Sequence, residues 1–191
     1  MTKSEIRKLY IEKRKTLSQD EVFLLSEKIF HQFFQYFNPI SGQKVHIFLP
    51  IEKFSEIRTD VFVEKLFKEN IRVFVPKVVN GNLISVEVST KTQYATNSWG
   101  ISEPISNDDS GEKQFDFVIT PLLYCDNKGN RVGYGKGFYD RFFAELDMSV
   151  KKIGINYFNP SEKIDDINSF DIPLDYLVTP TEMLSFLGGA E

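Results

Sequence analysis

The chain has 191 residues, a mass of 22.1 kDa and 41% hydrophobic residues, which is ordinary for a single soluble α/β domain with a sizeable core. Its net charge of −4 disfavours nucleic acid as a partner of the whole molecule, so phosphate binding requires a local basic site. A single cysteine, Cys125, excludes an internal disulfide, and the charged N-terminus and the lack of a long apolar run predict a cytoplasmic protein.

Two helices are predicted at the N-terminus, each opened by a capping box that begins at Thr2 or Ser18. The first helix has an apolar stripe that includes Ile6 and Tyr10. It also has an excess of basic side chains: Lys3, Arg7, Lys8, Lys13, Arg14 and Lys15. On their own these charges favour a solvated basic face. The second helix, residues 18–37, is rich in phenylalanine, which is typical of a stripe that faces the core.

Strands and a third helix alternate through the next part of the chain. Residues 44–49 are predicted as a strand, 59–70 as a helix and 72–76 as the next strand. This order calls for a right-handed crossover and predicts an α/β fold with a largely parallel sheet. Asn and Gly at residues 80–81 are typical of a hairpin turn, so residues 83–88 are predicted as an antiparallel strand at a sheet edge.

The most informative stretch is residues 129–143, with the sequence GNRVGYGKGFYDRFF, after a predicted buried strand at residues 115–123. Its four glycines allow backbone N–H groups to approach an anion closely: Gly129, Gly133, Gly135 and Gly137. From Phe138 the pattern is helical, and a helix N-terminus favours negative charge. Lys136 adds a mobile cation and Asp140 a hard oxygen ligand, so the stretch suits a phosphate with its magnesium ion.

The two commoner phosphate-binding motifs do not fit this stretch. A P-loop requires Gly where Asn130 stands, and Ser or Thr where Gly137 follows the lysine. A dinucleotide fingerprint requires its third Gly at the position of Phe138. The structural alternative is a glycine-rich turn that only links a strand to a helix, and the presence of Lys136 and Asp140 disfavours it.

Two further strands are predicted beyond this helix, at residues 152–157 and 176–179, the second being the last of the chain. The segment between them is rich in aspartate. Most of these acids favour an interpretation as ordinary loop charges. Asp171, in the same segment, precedes the closing strand.

Residues 129–143 resemble the signature of the 5-formyltetrahydrofolate cyclo-ligase family, also called 5,10-methenyltetrahydrofolate synthetases. The resemblance covers nearly the whole chain: KSEIR at residues 3–7, IFLPIEKFSEIRT at 47–59, SWGISEP at 98–104 and FDIPLDYLVTP at 170–180. It implies one domain over residues 1–191 with a three-layer α/β/α fold and a largely parallel mixed sheet. That fold is similar to those of ribose-5-phosphate isomerase, glucosamine-6-phosphate deaminase and the CoA transferases.

The resemblance implies a C–N bond-forming ligase that closes 5-formyltetrahydrofolate to 5,10-methenyltetrahydrofolate and converts ATP to ADP and phosphate. The implied cofactors are ATP and Mg²⁺. The implied partner is the folate, with or without a polyglutamate tail, bound by a monomer that uses neither nucleic acid nor membrane.

Residue roles are implied as well. Lys136 and Tyr139 are assigned to catalysis, and Asp140 and Asp171 to the metal. The ATP site is implied to comprise Lys3, Ser4, Glu5, Ile6, Arg7, Arg131, Val132, Gly133, Tyr134, Gly135, Lys136, Gly137, Phe138 and Tyr139. The substrate site is implied to comprise Leu49, Glu56, Trp99, Tyr134, Gly135, Lys136, Gly137, Phe138 and Tyr157.

Some alternatives stay open within this assignment. Glu56 is aligned with the carboxylate that hydrogen-bonds the folate, but this loop is slightly longer than the family pattern, which keeps Glu52 as a candidate. Tyr134 stands where some family members have Arg. Two other functions also fit the fold. A sugar-phosphate isomerase or deaminase would act without ATP, and a non-catalytic folate or RNA binder would not need Lys136, Asp140 and Asp171.

Overall fold

The structure, a computed structural model, describes residues 1–97 and 100–188. In chain order the elements are α1 Lys3–Lys15, α2 Gln19–Phe37, β1 Lys44–Ile47, α3 Thr59–Lys68, β2 Arg72–Val79, β3 Asn82–Val88, β4 Tyr94–Thr96, β5 Ser102–Pro104, β6 Phe117–Thr120, β7 Tyr124–Cys125, β8 Arg131–Val132, α4 Phe138–Ala144, β9 Lys151–Ile155, β10 Tyr176–Val178 and β11 Met183–Ser185. A short 3-10 turn, Glu52–Phe54, lies in the loop after β1. Across the described residues, no helix is long and apolar enough to cross a membrane.

Seven strands form one sheet in the order β11-β10-β9-β6-β1-β2-β3. The five central strands are parallel, and antiparallel β3 and β11 form its two edges. The predicted largely parallel mixed sheet is therefore confirmed. The predicted hairpin is confirmed too, since Asn80 and Gly81 have φ values of 50° and 79°, as its turn requires. The prediction that β10 is the last strand is wrong, because β11 follows it and pairs Leu184 with Leu177.

Helices cover both faces of the sheet. Alternate strand residues point to opposite faces, so each strand contributes to two cores. On one face, Ile47 packs in a cluster with Phe33 of α2 and Phe62 of α3. On the other face, Val118 packs in a cluster with Phe142 of α4. The predicted α/β/α layering is therefore confirmed, whereas the likeness to the sugar-phosphate isomerase fold stays a prediction.

The strand order reverses direction beside β1, and this reversal positions the site. From β1 the chain crosses through α3 to β2, whereas from β6 it crosses through α4 to β9 on the other side. Open α/β sheets form a ligand crevice at the carboxyl ends of the strands where such a reversal occurs. Here the crevice lies beyond β1 and β6, and the loops that follow them, 48–58 and 121–137, contain predicted site residues.

A small hairpin of β7 and β8, which was not predicted, lies between β6 and the glycine loop. Asp126 shapes its turn, because its Oδ1 accepts hydrogen bonds from the backbone N–H groups of Lys128 and Asn130 at 2.9 and 3.0 Å. The strand predicted over residues 115–123 is correspondingly shorter and spans Phe117–Thr120. The hairpin carries the chain away from the sheet before the glycines begin.

Candidate active site

Helix α1 contacts the hairpin and the 3-10 turn beyond the sheet's carboxyl edge. Its capping box at Thr2 is present, as predicted, and its buried residues Ile6, Tyr10 and Arg14 recur every four positions on one face. Ile6 and Tyr10 pack in an apolar cluster with residues of the hairpin. Seating this face on the hairpin places the neighbouring basic side chains next to the glycine loop.

Arg7 brings a guanidinium group to the glycine loop. Its Nε donates to the carbonyl oxygen of Gly133 at 3.0 Å. Gly135 has a φ of +90°, and a Cβ atom there would lie 3.3 Å from Arg7 Nη2. Glycine is the residue that accepts this backbone conformation without strain and permits so close an approach. The structure therefore brings together the two segments that were predicted to form the ATP site.

The glycines of the loop do not all have the predicted role. Gly135, Lys136 and Gly137 are exposed, and Gly137 is the N-terminal cap of α4, with a φ of +65°. The N–H of Gly129 instead donates to Asp126 O at 3.1 Å, and a Cβ atom at Gly129 would lie 2.7 Å from the backbone oxygen of Leu174. The prediction that Gly129 faces an anion is therefore wrong, and the exposed part of the loop is residues 135–137.

The two predicted metal ligands lie on the same side of the molecule. The backbone N–H of Ile172, the residue after Asp171, donates to Asp140 Oδ1 at 3.1 Å. Each carboxylate is paired with a cation. Arg131 donates to Asp140 Oδ1 at 2.7 Å, and Lys3 Nζ donates to Asp171 Oδ2. Burial lowers the pKa of Arg131, and the neighbouring carboxylates oppose that change.

Asp140 and Asp171 together fit a Mg²⁺ ion that is also held by substrate phosphates. No group of three or more His, Cys, Asp and Glu side chains suited to a metal ion occurs within residues 1–97 and 100–188. In the same residues the bonds to Asp140 fall on Oδ1 and those to Asp171 on Oδ2, which leaves each carboxylate a second oxygen. Mg²⁺ is commonly held by one or two carboxylates together with substrate phosphates, and this pair suits that arrangement rather than an all-protein cage.

Glu56 is a buried carboxylate beyond the carboxyl end of β1, with 4% of its surface exposed. Its Oε2 accepts from the backbone N–H of Ile51 at 2.8 Å, and its Oε1 accepts from the Tyr134 hydroxyl at 2.7 Å. Burial raises the pKa of Glu56. The alternative carboxylate, Glu52, is exposed in the 3-10 turn, so of the two only Glu56 is buried and held in place by hydrogen bonds. The ring of Phe54 stacks on Tyr134 at 5.3 Å and covers it.

Arg14 is a residue of this site that the sequence interpretation missed. Only 3% of it is exposed, so the prediction of a solvated basic face is wrong for this position. Its Nη1 donates to the Tyr134 hydroxyl at 3.4 Å, and its Cζ lies 5.6 Å from the centroid of the Tyr157 ring. A signal was present in the sequence, because Arg14 follows Tyr10 by four positions and therefore belongs to the buried stripe of α1.

Several residues assigned to the ATP site serve the fold in this conformation. Ile6 and Val132 are 0% and 1% exposed in one apolar cluster. The carboxylate of Glu5 closes the capping box of α1. Ser4 is exposed, and Phe138 lies under the guanidinium group of its neighbour on α4. Among the other residues assigned to this site, Lys3 and Arg7 are partly exposed, and Gly135, Lys136 and Gly137 are exposed.

The residues assigned to the substrate site are partly described. Tyr157 is 7% exposed at the exit of β9, and burial raises its pKa to about 12. The hydroxyl of Tyr139 is buried, and this burial raises its pKa as well. Leu49 is partly buried against the core. Trp99, predicted to form a pocket wall, lies outside the described residues.

Two depressions of the surface can be compared with these assignments. One, of about 410 Å³, is lined by residues that include Tyr10, Lys13 and Tyr157. The other, of about 690 Å³, lies against β2 and β3 and includes none of the predicted site residues. Neither of these two depressions is lined by residues of the glycine loop.

The comparison with known proteins shows the family of this chain. The model of the 5-formyltetrahydrofolate cyclo-ligase family matches residues 1–180. The chain belongs to this family. A cyclo-ligase of Mycoplasma pneumoniae is 30% identical over 182 residues, which cover 93% of this chain and 98% of that protein. A probable cyclo-ligase of Schizosaccharomyces pombe is 32% identical over 148 residues, which cover 68% and 71%.

Solved structures agree with this cyclo-ligase assignment. The 5,10-methenyltetrahydrofolate synthetase of Aquifex aeolicus has a TM-score of 0.85 at 29% identity, covering 100% of this chain and 96% of that one. The synthetase of Mycoplasma pneumoniae has a TM-score of 0.72 at 27% identity, covering 94% and 99%. The cyclo-ligase resemblance predicted from residues 129–143 is therefore confirmed over nearly the whole chain.

Proposed function

We propose that this chain is an ATP-dependent enzyme that closes 5-formyltetrahydrofolate to 5,10-methenyltetrahydrofolate and releases ADP and phosphate. One observation carries the proposal. The chain matches the cyclo-ligase family over nearly its whole length. Its glycine loop lies between the two predicted metal carboxylates, Asp140 and Asp171, and the predicted folate carboxylate, Glu56. The loop leads directly into α4, where Asp140 accepts a hydrogen bond from Ile172, the residue after Asp171. Tyr134 of the loop donates a hydrogen bond to the buried Glu56.

The reaction itself defines what the protein has to do. The formamide carbonyl of the substrate is a weak electrophile, and its oxygen is a poor leaving group. When the γ-phosphoryl group moves to that oxygen, its bond to ADP breaks and the formyl carbon becomes iminium-like. N10 then attacks this carbon, the C–O bond breaks with its electron pair leaving on phosphate, and N10 loses its proton. The protein has to neutralise the transferred phosphoryl group and hold the formyl oxygen in line with it.

The distribution of charge supports the first task. Lys3 and Arg131 are each balanced by a carboxylate. Within the part of the chain that the structure describes, Arg7 and Lys136 form no such ion pair, and Arg7 contacts backbone of the glycine loop. Two uncompensated positive charges thus lie at the loop in which Gly135, Lys136 and Gly137 are exposed. This combination is complementary to a triphosphate. We assign catalysis to Lys136, as the cation at the transferred group. Tyr139 stays a predicted catalytic residue, although its hydroxyl is buried in this conformation and would have to become accessible to donate to the phosphoryl group.

Asp140 and Asp171 are the residues of this chain that would hold Mg²⁺, each through the oxygen not used in its hydrogen bonds to the protein. When bound, the ion would add positive charge beside the β- and γ-phosphates. Arg131 and the backbone N–H of Ile172 hold the Asp140 carboxylate in a fixed orientation.

The second task falls to the folate side of the crevice. Glu56 presents two acceptor oxygens to the N–H groups of a reduced pterin, and Leu49, Trp99 and Tyr157 are proposed as walls that orient its rings. We further propose that the enzyme is a cytoplasmic monomer that accepts substrate with or without a polyglutamate tail. Sedimentation tests whether the enzyme is a monomer, and a comparison of KM for the substrate with and without the polyglutamate tail tests whether both forms are accepted.

The proposal is tested by mixing the purified protein with 5-formyltetrahydrofolate and Mg-ATP and recording the absorbance of the methenyl product. Product is expected only when ATP and a divalent cation are both present. Formation of product without either one would contradict the mechanism. The sugar-phosphate alternative predicts instead turnover of a sugar phosphate in the absence of ATP.

A variant tests the role of the carboxylates. Asp140→Asn should lower kcat by about 100-fold or more, since a charge that stabilises the transition state is lost, while circular dichroism stays that of the wild type. Glu145→Gln is the matched control, because Glu145 is an exposed carboxylate at the end of the same helix. Equal effects of the two substitutions would argue against Asp140 as a ligand.

A further inference from the structure

A buried cation lies behind the proposed folate carboxylate. Arg14 Nη2 donates to Leu122 O beyond the end of β6 and, at 3.5 Å, to Asn156 Oδ1 beyond the end of β9. Its Nη1 donates to the Tyr134 hydroxyl. A buried guanidinium is costly without an opposite charge, and the carboxylate whose ionisation Arg14 favours is that of Glu56. Arg14 therefore belongs to the crevice as well as to the packing of α1.

The partners of the Tyr134 hydroxyl show which group donates and which accepts in this network. Arginine can only donate, so the Tyr134 oxygen accepts from Arg14 and its one proton is left for another acceptor. That acceptor is Glu56 Oε1, at 2.7 Å. Oε2 accepts from the backbone N–H of Ile51 at 2.8 Å. Both carboxylate oxygens of Glu56 therefore receive protons from neighbours, which favours the ionised form.

Burial acts in the opposite direction. It raises the pKa of Glu56, while the Tyr134 hydrogen bond, the charge of Arg14 and the Ile51 bond lower it, in that order. The other titratable groups that face Glu56 are Tyr139 on α4 and Tyr157 after β9. Burial raises the pKa of both phenols, so they stay neutral around neutral pH. The ionisation of Glu56 thus depends chiefly on Arg14 and Tyr134.

We propose that Arg14 and Tyr134 are positioning residues that hold Glu56 as an ionised, acceptor-only carboxylate for the N–H donors of the pterin ring. A reduced pterin carries a ring N–H and an exocyclic amino group on one edge, and an ionised carboxylate can accept from both. A protonated carboxyl would present a donor to one of them. The inference rests on the proposed function and adds Arg14 to its folate site.

Tyr134 also links the glycine loop to Glu56. Tyr134 lies between Gly133, which Arg7 contacts, and Gly135, over which the Arg7 guanidinium packs. The same residue thus connects the open loop to the folate carboxylate. Tyr134 gives Glu56 a hydrogen bond but no charge, so the positive charge that favours the ionised carboxylate comes from Arg14.

The test compares pH profiles of kcat/KM for 5-formyltetrahydrofolate. Tyr134→Phe keeps the ring that stacks on Phe54 and removes the hydroxyl, and Arg14→Met removes the charge. Both should shift the acid limb of the profile to higher pH by about one unit, so at pH values below that limb KM for the folate should be about tenfold higher than in the wild type. In Arg14→Met, KM for ATP should change by less than about twofold, and Arg14→Lys should recover most of the profile.

Two controls separate this role from a structural one. Glu56→Gln should lose the acid limb altogether, because the group that titrates is gone. Lys15→Met removes a positive charge from an exposed position of the same helix and should overlay the wild type. Should Arg14→Met fail to fold, Tyr134→Phe decides the question.

The possible outcomes distinguish this inference from the proposed function. Wild-type protein that forms product while the acid limbs of Tyr134→Phe and Arg14→Met coincide with its own would overturn the positioning role. Wild-type protein that forms no methenyl product would instead overturn the proposed function. In that case calorimetric binding of 5-formyltetrahydrofolate across the same pH range, for the same variants, decides whether Arg14 controls Glu56.

Discussion

His46 is a buried histidine on β1 that should make the stability of the fold depend on pH. Its ring lies 4.7 Å from that of Phe142 and 5.3 Å from that of Phe115, measured between centroids. Neither ring nitrogen has a hydrogen-bond partner among the described residues. Burial lowers the pKa of His46 from 6.5 to about 3, because an imidazolium there would lose its hydration. Replacement by leucine removes the ionisable group and keeps a side chain of similar size.

The sign and size of the effect follow from this pKa. Below pH 6.5 the unfolded chain binds a proton at His46 that the folded chain does not bind until about pH 3. The contribution is therefore zero above pH 6.5, and the folded state loses stability as the pH falls through this window. At pH 5 the loss is about 2 kcal/mol, from about 1.4 kcal/mol per pH unit. A loss of this size lowers Tm by about 4–8 °C in a domain of this length.

Urea unfolding at pH 7.5 and pH 5.0 measures the effect. The wild type should lose about 2 kcal/mol more of its free energy of unfolding between these pH values than His46→Leu does, since the other titrating groups are common to both proteins. His31→Gln, at an exposed position of α2, serves as the control and should behave like the wild type. Equal losses in the wild type and His46→Leu would refute the reasoning, because His46 would then bind protons alike in the folded and unfolded states.

Two glycines of one sequence motif should respond differently to substitution. Gly135→Ala places a Cβ at a φ of +90° and 3.3 Å from Arg7. It should raise KM for ATP about tenfold while lowering stability by only about 1 kcal/mol, and an unchanged KM would speak against nucleotide binding at this loop. Gly129→Ala places a Cβ 2.7 Å from Leu174 O at a φ of +81°. It should destabilise the fold by about 3 kcal/mol in urea unfolding, with KM for ATP unchanged in the folded fraction, and a wild-type stability would contradict the close packing.

Much of the fold could be predicted because its signals are local. The capping boxes at Thr2 and Ser18 involve residues three positions apart, and both are present. The hairpin turn at residues 80–81 depends on backbone conformations that Asn and Gly favour on their own. The parallel sheet followed from the alternation of strands and helices. Short-range patterns of this kind are decided by propensity and spacing before any tertiary contact is known.

The two errors in the fold have different causes. The strand predicted over residues 115–123 merged β6 with the start of a hairpin, because a continuous apolar run does not show where a chain leaves a sheet. The turn of that hairpin, held by Asp126, contains an Asn and a Gly and could have been recognised. The edge strand β11 has three residues, which is too short for a periodic signal.

In the site, the sequence predicted residue types better than residue partners. Lys3 was assigned to phosphates and Asp171 to the metal, yet they form an ion pair across 168 positions. The side chains of this pair are only 18% and 21% exposed, and like the pair of Arg131 with Asp140 it compensates a charge that would otherwise be partly desolvated. No spacing rule predicts such pairs, because the sheet brings the two segments together.

Arg14 shows where a stricter use of periodicity would have succeeded. The basic residues of α1 were counted together, although a helix with 3.6 residues per turn presents them on different faces. Ile6 and Tyr10 define the buried face, and four more positions lead to Arg14. A buried arginine on this face requires a partner of opposite charge, and in an enzyme a buried carboxylate is often a functional residue. The inference that Glu56 is held ionised from α1 therefore begins with a spacing visible in the sequence, and the tertiary structure supplies Tyr134 as the connection.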